Sequence, residues 1–449
     1  MKAFEKILTE ERLSYVREKR KQARAEGFLR AEDKIGSAAI ASLKRLYEDF
    51  DERIYIWLAG LYDGECGAFY YSASARDTHL YLPDIESTFQ ALKFLNTSGM
   101  IGRGEGSYVM RLPEFLRRGA VAFAKGLQAE DGYFYHLQWG RDISVSRRGR
   151  DLSWCKNLLR EAGEVPNYPL PTDKGADGKR SPHLPEYLES LTAFRKYLSE
   201  MDLASDSYRI GNIFESTSSQ ITAAGEEYGR VLAEWFISGN RPDNGLWQEG
   251  ISYATVNGLM KISGVFPHLR IRLPHAARSL ESAIFALNSD ERMKFVCEAY
   301  NPWAAIINIM KANKGEEGDS ELAGLRSSLI ENAPALIDKT REKIAVFRKP
   351  DGSYSYFRKM SSAVSQRAPV AVPRTDEGDV NATTICVGST VRSMREALDI
   401  PAIPVFCPED GELFFELLKN VPKVKKTNYI GEVFPEKPSY GEEIGEADA

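Results

Sequence analysis

The sequence lacks the features that most directly assign a chemistry. Its five cysteines are odd in number and scattered, so neither a disulfide framework nor the short spacing of a zinc site is present. No Gly-rich phosphate motif follows a strand pattern, and no His-Glu-x-x-His motif occurs. We therefore predict that the protein uses no metal and no cofactor.

Long apolar runs and an excess of basic charge are also missing. No stretch approaches the roughly 18 residues that span a bilayer, and Met1 to Lys6 lead into a charged helix rather than a signal sequence. The net charge of -5 gives no reason to expect nucleic acid as a partner. We predict a cytoplasmic protein whose partner is a small-molecule or oligosaccharide substrate, and the oligomeric state stays open.

What the sequence contains is a phrase that recurs four times. An apolar stretch leads into a Gly-centred turn, then aromatic residues, a polar loop, and a helix opened by Asp, Thr or Asn. The glycines of the four turns are Gly67, Gly132, Gly245 and Gly352. Their spacing, read as one, two and two units, gives roughly 55 residues per unit, the size of a helical hairpin with a long loop.

Six such units would fill most of the chain, with two degenerate copies near Pro185 to Leu188 and Tyr300 to Trp303. This predicts an all-α fold, an (α/α)6 toroid of about six helical hairpins. The aromatic alternation at Tyr133 to Tyr135 predicts brief hairpins at the rim.

The predicted domain organisation has three parts. Residues 1–36 form a peripheral charged N-terminal helix, and residues 37–405 form the toroid. Residues 406–449 form a C-terminal extension that ends in a disordered acidic tail.

Individual helices follow from the apolar periodicity and the flanking turn residues. The helices predicted before the turns are Phe115–Leu127, Ile221–Ile237 and Ala333–Phe347. The helices predicted after the polar loops are Asp84–Asn96, Leu152–Ala162, Val256–Ser263 and Val380–Leu398. The segment from Arg358 to Gly378 is predicted to be a long polar loop, of the kind that is usually functional or disordered.

The repeat of Asp-Gly with aromatics, a loop and a Thr-bearing helix resembles the squalene cyclase and protein prenyltransferase toroid superfamily, over roughly residues 50–400. Asp379-Val380-Asn381-Ala382-Thr383 resembles the Asp-rich acid motif of class II terpene cyclases, which implies Asp379 as the proton donor. That family has Asp where this chain has Asn381 and Ala382. The zinc site of protein prenyltransferases has no counterpart here. The same ring of helices is shared by many carbohydrate-active enzymes, so fold does not choose among them.

Two carboxylate pairs lie at helix starts, Asp84 with Glu86 and Glu377 with Asp379. Each pair supplies more carboxyls than a helix cap needs, and two carboxyls across a cleft could act as acid and base in glycoside hydrolysis. The alternative for each residue is helix N-capping.

Tyr253 and Asn257 are four residues apart and would share a helical face, just after Trp247. A lyase that acts on a uronic acid needs a base, often Tyr or His, and a group that holds the carboxylate. Tyr253, Asn257 and Arg374 could fill these roles, and Arg367 lies in the same loop as Arg374. The alternative is an interior aromatic with a satisfied amide.

His136, Gln138 and Trp139 follow the second turn. His is the natural proton shuttle near neutral pH, and the aromatic rings after each turn could stack on sugars or surround an isoprenoid carbocation. The alternative is that these side chains are structural and fill the core.

The leading hypothesis is an intracellular carbohydrate-active enzyme, a lyase or a glycoside hydrolase, that acts on an acidic sugar in a central cleft by acid/base catalysis. The candidate catalytic residues are Asp379, Glu377, Tyr253, His136 and Asp84. The candidate substrate-binding residues are Asn257, Trp247, Gln138, Trp139, Arg367, Arg374, Asn381 and Glu86.

Two alternatives stay open: a single-domain class II-like isoprenoid cyclase that uses Asp379 as its acid, and a non-catalytic toroid that binds a protein partner. A polar cleft would favour the first hypothesis, and a closed apolar cavity below one acid would favour the cyclase. A ring without perturbed ionisable groups would favour the binding protein.

Overall fold

The chain is predominantly α-helical, which confirms the all-α prediction. A computed structural model describes residues 4–174 and 181–423. The α-helices are α1 (Glu10–Glu48), α2 (Arg53–Ala59), α3 (Ala73–Asp77), α4 (Ile85–Ser98), α5 (Glu114–Gly126), α6 (Val145–Glu161), α7 (Leu191–Ser199), α8 (Leu203–Ser216), α9 (Ser218–Ala224), α10 (Glu226–Gly239), α11 (Tyr253–Ser263), α12 (Val265–Leu269), α13 (Ala276–Asn288), α14 (Cys297–Ala312), α15 (Glu316–Glu331), α16 (Ala333–Ala345), α17 (Val380–Thr384), α18 (Val391–Ala397) and α19 (Pro408–Lys419). A π-helical stretch, Ile385–Thr390, joins α17 to α18, and Glu186–Leu188 is a 3-10 helix.

Regular β structure is limited to two short antiparallel pairs among the described residues. The strands are β1 (Tyr62–Asp63), β2 (Ala68–Phe69), β3 (Val364–Ser365) and β4 (Ala368–Pro369), with β1 paired to β2 and β3 to β4. At Tyr133 to Tyr135 the expected hairpin is reduced to a single bridge between Gln128 and Phe134. The segment predicted as a loop, Arg358 to Gly378, contains the β3–β4 hairpin.

The last three of the four recurring phrases form the same local turn. An Asp or Asn side chain accepts a hydrogen bond from the backbone N–H two positions on, across a glycine with φ of 80°, 69° or 89°. The three turns are Asp131-Gly132-Tyr133, Asn244-Gly245-Leu246 and Asp351-Gly352-Ser353. Glycine adopts this conformation without the steric cost that a Cβ atom would add, so the turn follows directly from the sequence.

These turns also fit closely against other parts of the chain. A Cβ atom on Gly245 would overlap the backbone of Ser279 in α13, and one on Gly352 would lie 2.7 Å from Cβ of Arg53 in α2. The fourth recurring turn, at Gly352, therefore packs directly on α2 near the start of the chain.

The helices that follow the polar loops pack in succession. Helix α4 packs on α6, α6 on α8, α8 on α11, α11 on α14, and α14 on α18, while α17 returns to α4. Small residues bring α8 and α11 close together, since a Cβ atom on Gly211 would lie 2.8 Å from Cγ1 of Ile262. Capping residues begin several of these helices: Asp84 for α4, Ser144 for α6, Asp202 for α8, Ser252 for α11 and Asp379 for α17.

The N-terminal helix and the last described helix pack together. Arg20 of α1 forms ion pairs with Asp410 of α19 at 2.6 Å and with Glu52 at 3.2 Å, and the Arg20 and Asp410 side chains are at most 7% exposed. Gly36 interrupts the helical backbone of α1 with φ 77°. The domain boundary predicted at residue 36 lies at this break and stays a prediction.

Two of the helices predicted after the polar loops begin earlier than expected. Asp151, just before the predicted start at Leu152, is within α6, which begins at Val145, and Asn257, next to the predicted start at Val256, is within α11, which begins at Tyr253. In both cases a serine upstream caps the helix, so the serine rather than the acid or amide ends the loop. The single helix predicted from Ile221 to Ile237 is instead the pair α9 and α10, divided at Gly225 with φ 139°.

Some predictions concern residues 424–449, including the disordered acidic tail, and these lie outside the described residues. Among the helices that are described, none is long and apolar enough to cross a membrane. The described residues also contain no group of three or more His, Cys, Asp or Glu side chains placed to hold a metal ion.

Candidate functional site

An arginine and three carboxylates are buried together where α4 and α6 begin. The Arg147 guanidinium contacts Asp84 at 3.1 Å, Glu86 at 2.9 Å and Asp151 at 2.9 Å. All four side chains are at most 2% exposed, and the guanidinium also lies 4.5 Å from the Trp139 ring centre. We refer to Arg147, Asp84, Glu86 and Asp151 as the Arg147 cluster.

The Arg147 cluster contains one cationic side chain and three carboxyl groups. Burial raises the pKa of Asp151 to about 7, although Arg147 opposes the shift. Burial would lower the pKa of Arg147, but the charges of Asp151, Glu86 and Asp84 outweigh it and raise that pKa. Arg147 is therefore a permanent cation that keeps several buried carboxylates compatible with the fold.

The loop from Arg358 to Gly378 covers the Arg147 cluster. The Ser365 hydroxyl donates to Glu86, and the Gln366 carbonyl accepts a hydrogen bond of 2.8 Å from Ser144, the cap of α6. The Gln366 side-chain oxygen accepts a further bond of 2.6 Å from Asn212 of α8. The loop thus ties the starts of α4 and α6 to α8.

Asp379 is completely buried and caps α17. Its Oδ1 accepts a hydrogen bond of 2.8 Å from the Ala382 N–H, and its Oδ2 accepts one of 2.8 Å from the Tyr356 N–H. Burial raises the pKa of Asp379 to about 7 against these bonds. Its neighbour Glu377 accepts bonds from the backbone and hydroxyl of Ser74.

His136, Gln138 and Trp139 form one compact unit. His136 Nε2 lies 3.0 Å from the Pro83 carbonyl, its Nδ1 accepts from the Gln138 N–H at 3.2 Å, and its ring stacks on Trp139 with centres 3.9 Å apart. Burial lowers the pKa of His136 to about 4. Its ring is therefore neutral at pH 7, with the proton on Nε2, where the carbonyl accepts it.

Tyr253 and Asn257 do not face a common partner. The Tyr253 hydroxyl donates to the Ser289 carbonyl at 3.3 Å, while the Asn257 side-chain oxygen accepts from Asn301 of α14 at 2.7 Å. Both residues are buried, at 1% and 2% exposure. The pair serves the contacts of α11 with neighbouring segments of the chain.

The remaining nominated residues are spread over the molecule. Trp247 is buried and donates its Nε1 proton to the Phe236 carbonyl at 2.8 Å. Arg367 and Arg374 are exposed in the covering loop, both with positive φ. Asn381 accepts a hydrogen bond of 3.0 Å from Gln90 of α4.

A second set of charged side chains, which the sequence analysis did not nominate, surrounds Glu215 of α8. Its members come from five helices and interact electrostatically with Glu215 or with Lys93. The set comprises Lys93, Arg150, Glu215, Lys261, Arg392 and Glu396, and we call it the Glu215 group.

Glu215 pairs with Lys261 of α11. Its carboxylate contacts the Lys261 ammonium at 2.6 Å and the side chain is 41% exposed, while burial acts to raise its pKa. Lys261 and Arg150 outweigh the burial and lower the pKa of Glu215, so the carboxylate is ionised at neutral pH.

Lys93 shows the same combination with the opposite charge. Its side chain is exposed, yet burial and the charge of Arg392 lower the pKa of Lys93 to about 8. Lysines with such values serve as bases or as anion ligands in other proteins.

A sequence signal for this group exists in the helical periodicity. Glu86, Gln90 and Lys93 are spaced as i, i+4 and i+7 on helix α4, and Tyr208 and Glu215 are seven apart on α8. Residues at this spacing share one helical face.

A separate cleft lies beside the first turn and α5. It is lined by residues that include Asp63, Cys66, Phe123, Leu127 and His136. It shares no residue with the Arg147 cluster or the Glu215 group.

In comparisons with known proteins, no family model, no curated protein and no solved structure matches the chain.

Proposed function

We propose that the chain is a single (α/α)6 toroid, of the kind that its repeats resemble. The inner ring would consist of α4, α6, α8, α11, α14 and the continuous helix made by α17, the π-helical stretch and α18. Support comes from the succession of packed neighbours, which returns from α17 to α4. The contact of Gly352 with Arg53, which brings the last turn onto α2, points the same way.

Within this ring we propose an enzyme that acts on an acidic oligosaccharide by acid/base catalysis. The observation that carries the proposal is the charge of the Glu215 group. Its four cations outnumber its two carboxylates, and they still do when Glu86, which contacts Arg150 at 3.4 Å, is counted with the carboxylates, in a chain of net charge -5. A local excess of Lys and Arg in an acidic protein favours an anionic ligand. Uronic acids and sulfated sugars carry such groups, and Arg binds both in bidentate geometry.

The reacting groups we assign are Glu215 and Tyr208. Glu215 is ionised and accessible, as a general base must be, and burial keeps the Tyr208 hydroxyl protonated, as a proton donor must be. The two residues lie on the same face of α8, roughly 10 Å apart along the helix, which leaves room for a sugar between them.

In this proposal the acids nominated from sequence support the ring. Asp84 and Asp379 cap α4 and α17, and Glu86 holds Arg147 and the covering loop. A catalytic role for them, and for Tyr253 and His136, stays a prediction.

An isoprenoid cyclase is a second candidate because burial raises the pKa of Asp379 to about 7. A protonated acid at neutral pH is what that reaction needs. Against it, both Asp379 oxygens accept backbone N–H bonds, an arrangement that suits the ionised form. The charged Glu215 group also differs from the apolar cavity that a carbocation requires.

The test is an activity screen with a matched variant. Uronate-containing and sulfated oligosaccharides would be incubated with the protein, and new reducing ends and new double bonds would be measured. We expect Glu215→Gln to lower turnover by about 100-fold or more, while Glu316→Gln on the exposed face of α15 leaves it unchanged. Turnover of isoprenoid diphosphates alone, abolished by Asp379→Asn, would replace this proposal with the cyclase.

A further inference from the structure

The β3–β4 hairpin reverses direction through a strained turn. Its two connecting residues, Gln366 and Arg367, both have positive φ, at 50° and 71°. A two-residue hairpin turn of this kind needs positive φ at both positions, and asparagine and glycine usually supply it because other side chains adopt it at a cost. Residues persist in such conformations only where the surrounding structure holds them, and they cluster at sites that bind or move.

Polar contacts hold the tip of the hairpin against three helices. The Ser365 hydroxyl donates to Glu86 of α4, and the Gln366 carbonyl accepts a hydrogen bond of 2.8 Å from Ser144, the cap of α6. The Gln366 side-chain oxygen accepts a further bond of 2.6 Å from Asn212 of α8. Water satisfies all of these donors and acceptors equally well, so each bond adds only a modest net stabilisation to the closed position.

The apolar contacts of the hairpin lie apart from the main hydrophobic core. Val370 and Ala371 form a small buried cluster with Tyr71, and Trp139 packs against it. Trp139 also donates its Nε1 proton to the Pro369 carbonyl at 3.1 Å. A segment that rests on a satellite cluster can leave its position while the main core stays intact.

The energetic balance between the closed and the open hairpin is close. Each residue with strained backbone costs about as much as one hydrogen bond contributes, so the turn offsets much of the attachment. Glu86 is 1% exposed beneath the hairpin. Opening lets water reach this carboxylate and removes part of its desolvation cost.

We propose that the β3–β4 hairpin, residues 363–371, is a lid that detaches from α4, α6 and α8 and admits the ligand. Asn212, which the lid contacts, lies four residues after Tyr208 and three before Glu215, so all three share one face of α8. The inference rests on the proposed function for what the lid admits. The opening itself follows from the contacts of the hairpin.

The first experiment is hydrogen exchange of the full chain, read by mass spectrometry. The Val370 and Tyr70 N–H groups each close a hairpin with a bond of 2.9 Å, and both residues are buried, at 3% and 0% exposure. We expect Val370 to exchange at least about tenfold faster, because its hairpin opens locally. Gln366→Met should speed Val370 about fivefold further, the effect of losing one hydrogen bond, whereas Gln22→Met on α1 should not.

Two outcomes of this experiment would overturn the lid. One is equally slow exchange of Val370 and Tyr70. The other is a Gln366→Met variant in which both amides accelerate together, since that result reports a loss of global stability rather than local opening.

The second experiment is proteolysis of the native full chain by trypsin, followed at the bond between Arg367 and Ala368. Arg367 is exposed, but a protease cleaves a segment only after it leaves the folded surface. Trp139→Phe removes the hydrogen bond to Pro369 and keeps an aromatic ring, so cleavage should rise about fivefold. Trp235→Phe on α10 should leave it unchanged. Cleavage at one rate in all three proteins, set by global unfolding, would contradict the proposal.

The lid and the proposed activity fail separately. Fast local exchange that responds to Gln366→Met, without turnover of any acidic oligosaccharide, would support the lid and remove the activity. Turnover by a protein whose hairpin exchanges only on global unfolding would support the activity and remove the lid.

Discussion

Replacing Arg147 by methionine tests the role of the Arg147 cluster most directly. The change removes the buried cation but keeps most of the side-chain volume, and it leaves Asp84, Glu86 and Asp151 without their shared partner. Breaking one buried ion pair costs about 3–5 kcal/mol. Since three carboxylates lose a partner here, we expect a loss near the upper end, about 5 kcal/mol.

Such a loss is large against the stability of a typical domain, about 5–15 kcal/mol. The assay is urea unfolding at pH 8, with Arg118→Met as the control. Arg118 pairs with Glu114 at 3.2 Å, but both side chains are more than two-thirds exposed, at 77% and 69%. The control should cost at most about 0.5 kcal/mol.

The pH dependence separates charge from packing. Without Arg147, the native carboxylates take up protons at higher pH than in the unfolded chain, so the variant should regain stability relative to the parent as the pH falls from 8 to 5. A loss below about 1 kcal/mol at pH 8 would refute the reasoning. So would a loss that is equally large at pH 5.

Two further perturbations test the turn and the buried histidine. Gly352→Ala should lower the free energy of unfolding in urea by more than about 1 kcal/mol, because φ is 89° and the new Cβ would lie 2.7 Å from Arg53 Cβ. Gly250→Ala, with φ 69° and nothing within 4 Å of the new Cβ, is the control that measures the backbone strain alone. Similar losses in both variants would argue against the contact with Arg53. The pKa of His136 is lowered to about 4 in the folded state, whereas the unfolded chain takes up this proton near pH 6.5. The contribution of His136 to the free energy of unfolding, about 3 kcal/mol, is therefore present above pH 6.5 and is lost as the pH falls to about 4. His136→Gln should flatten the fall in melting temperature over this range, and an unchanged slope would contradict the assigned environment.

Much of the local structure could be predicted because its causes lie within a few residues. Asp-Gly or Asn-Gly before aromatics is enough to form a turn, since the side-chain acceptor, the positive φ and the reversal of the chain are all local. The capping role of Asp84 and Asp379 likewise needs only the next three residues. Where prediction failed, as at Asp151 and Asn257, a nearby serine provided a competing cap.

The candidate site was less predictable. The residues nominated from sequence were polar and aromatic side chains near the turns. Most of them form hydrogen bonds within the protein, as His136 does with Pro83 and Gln138. Sequence does not reveal whether a polar side chain already has a partner. That depends on which distant segments approach it.

The sequence by itself therefore determined the helical class, the Asp-Gly and Asn-Gly turns, and the caps at Asp84 and Asp379, because these depend on backbone preference and on hydrogen bonds over short separations. Only the tertiary structure decided which charges are paired. Glu86 accepts a hydrogen bond from Ser365, which is far from it in sequence, and Glu215 pairs with Lys261 from the next packed helix. Electrostatic energy depends on distance in space and on local burial, and neither is a property of the neighbouring residues in sequence.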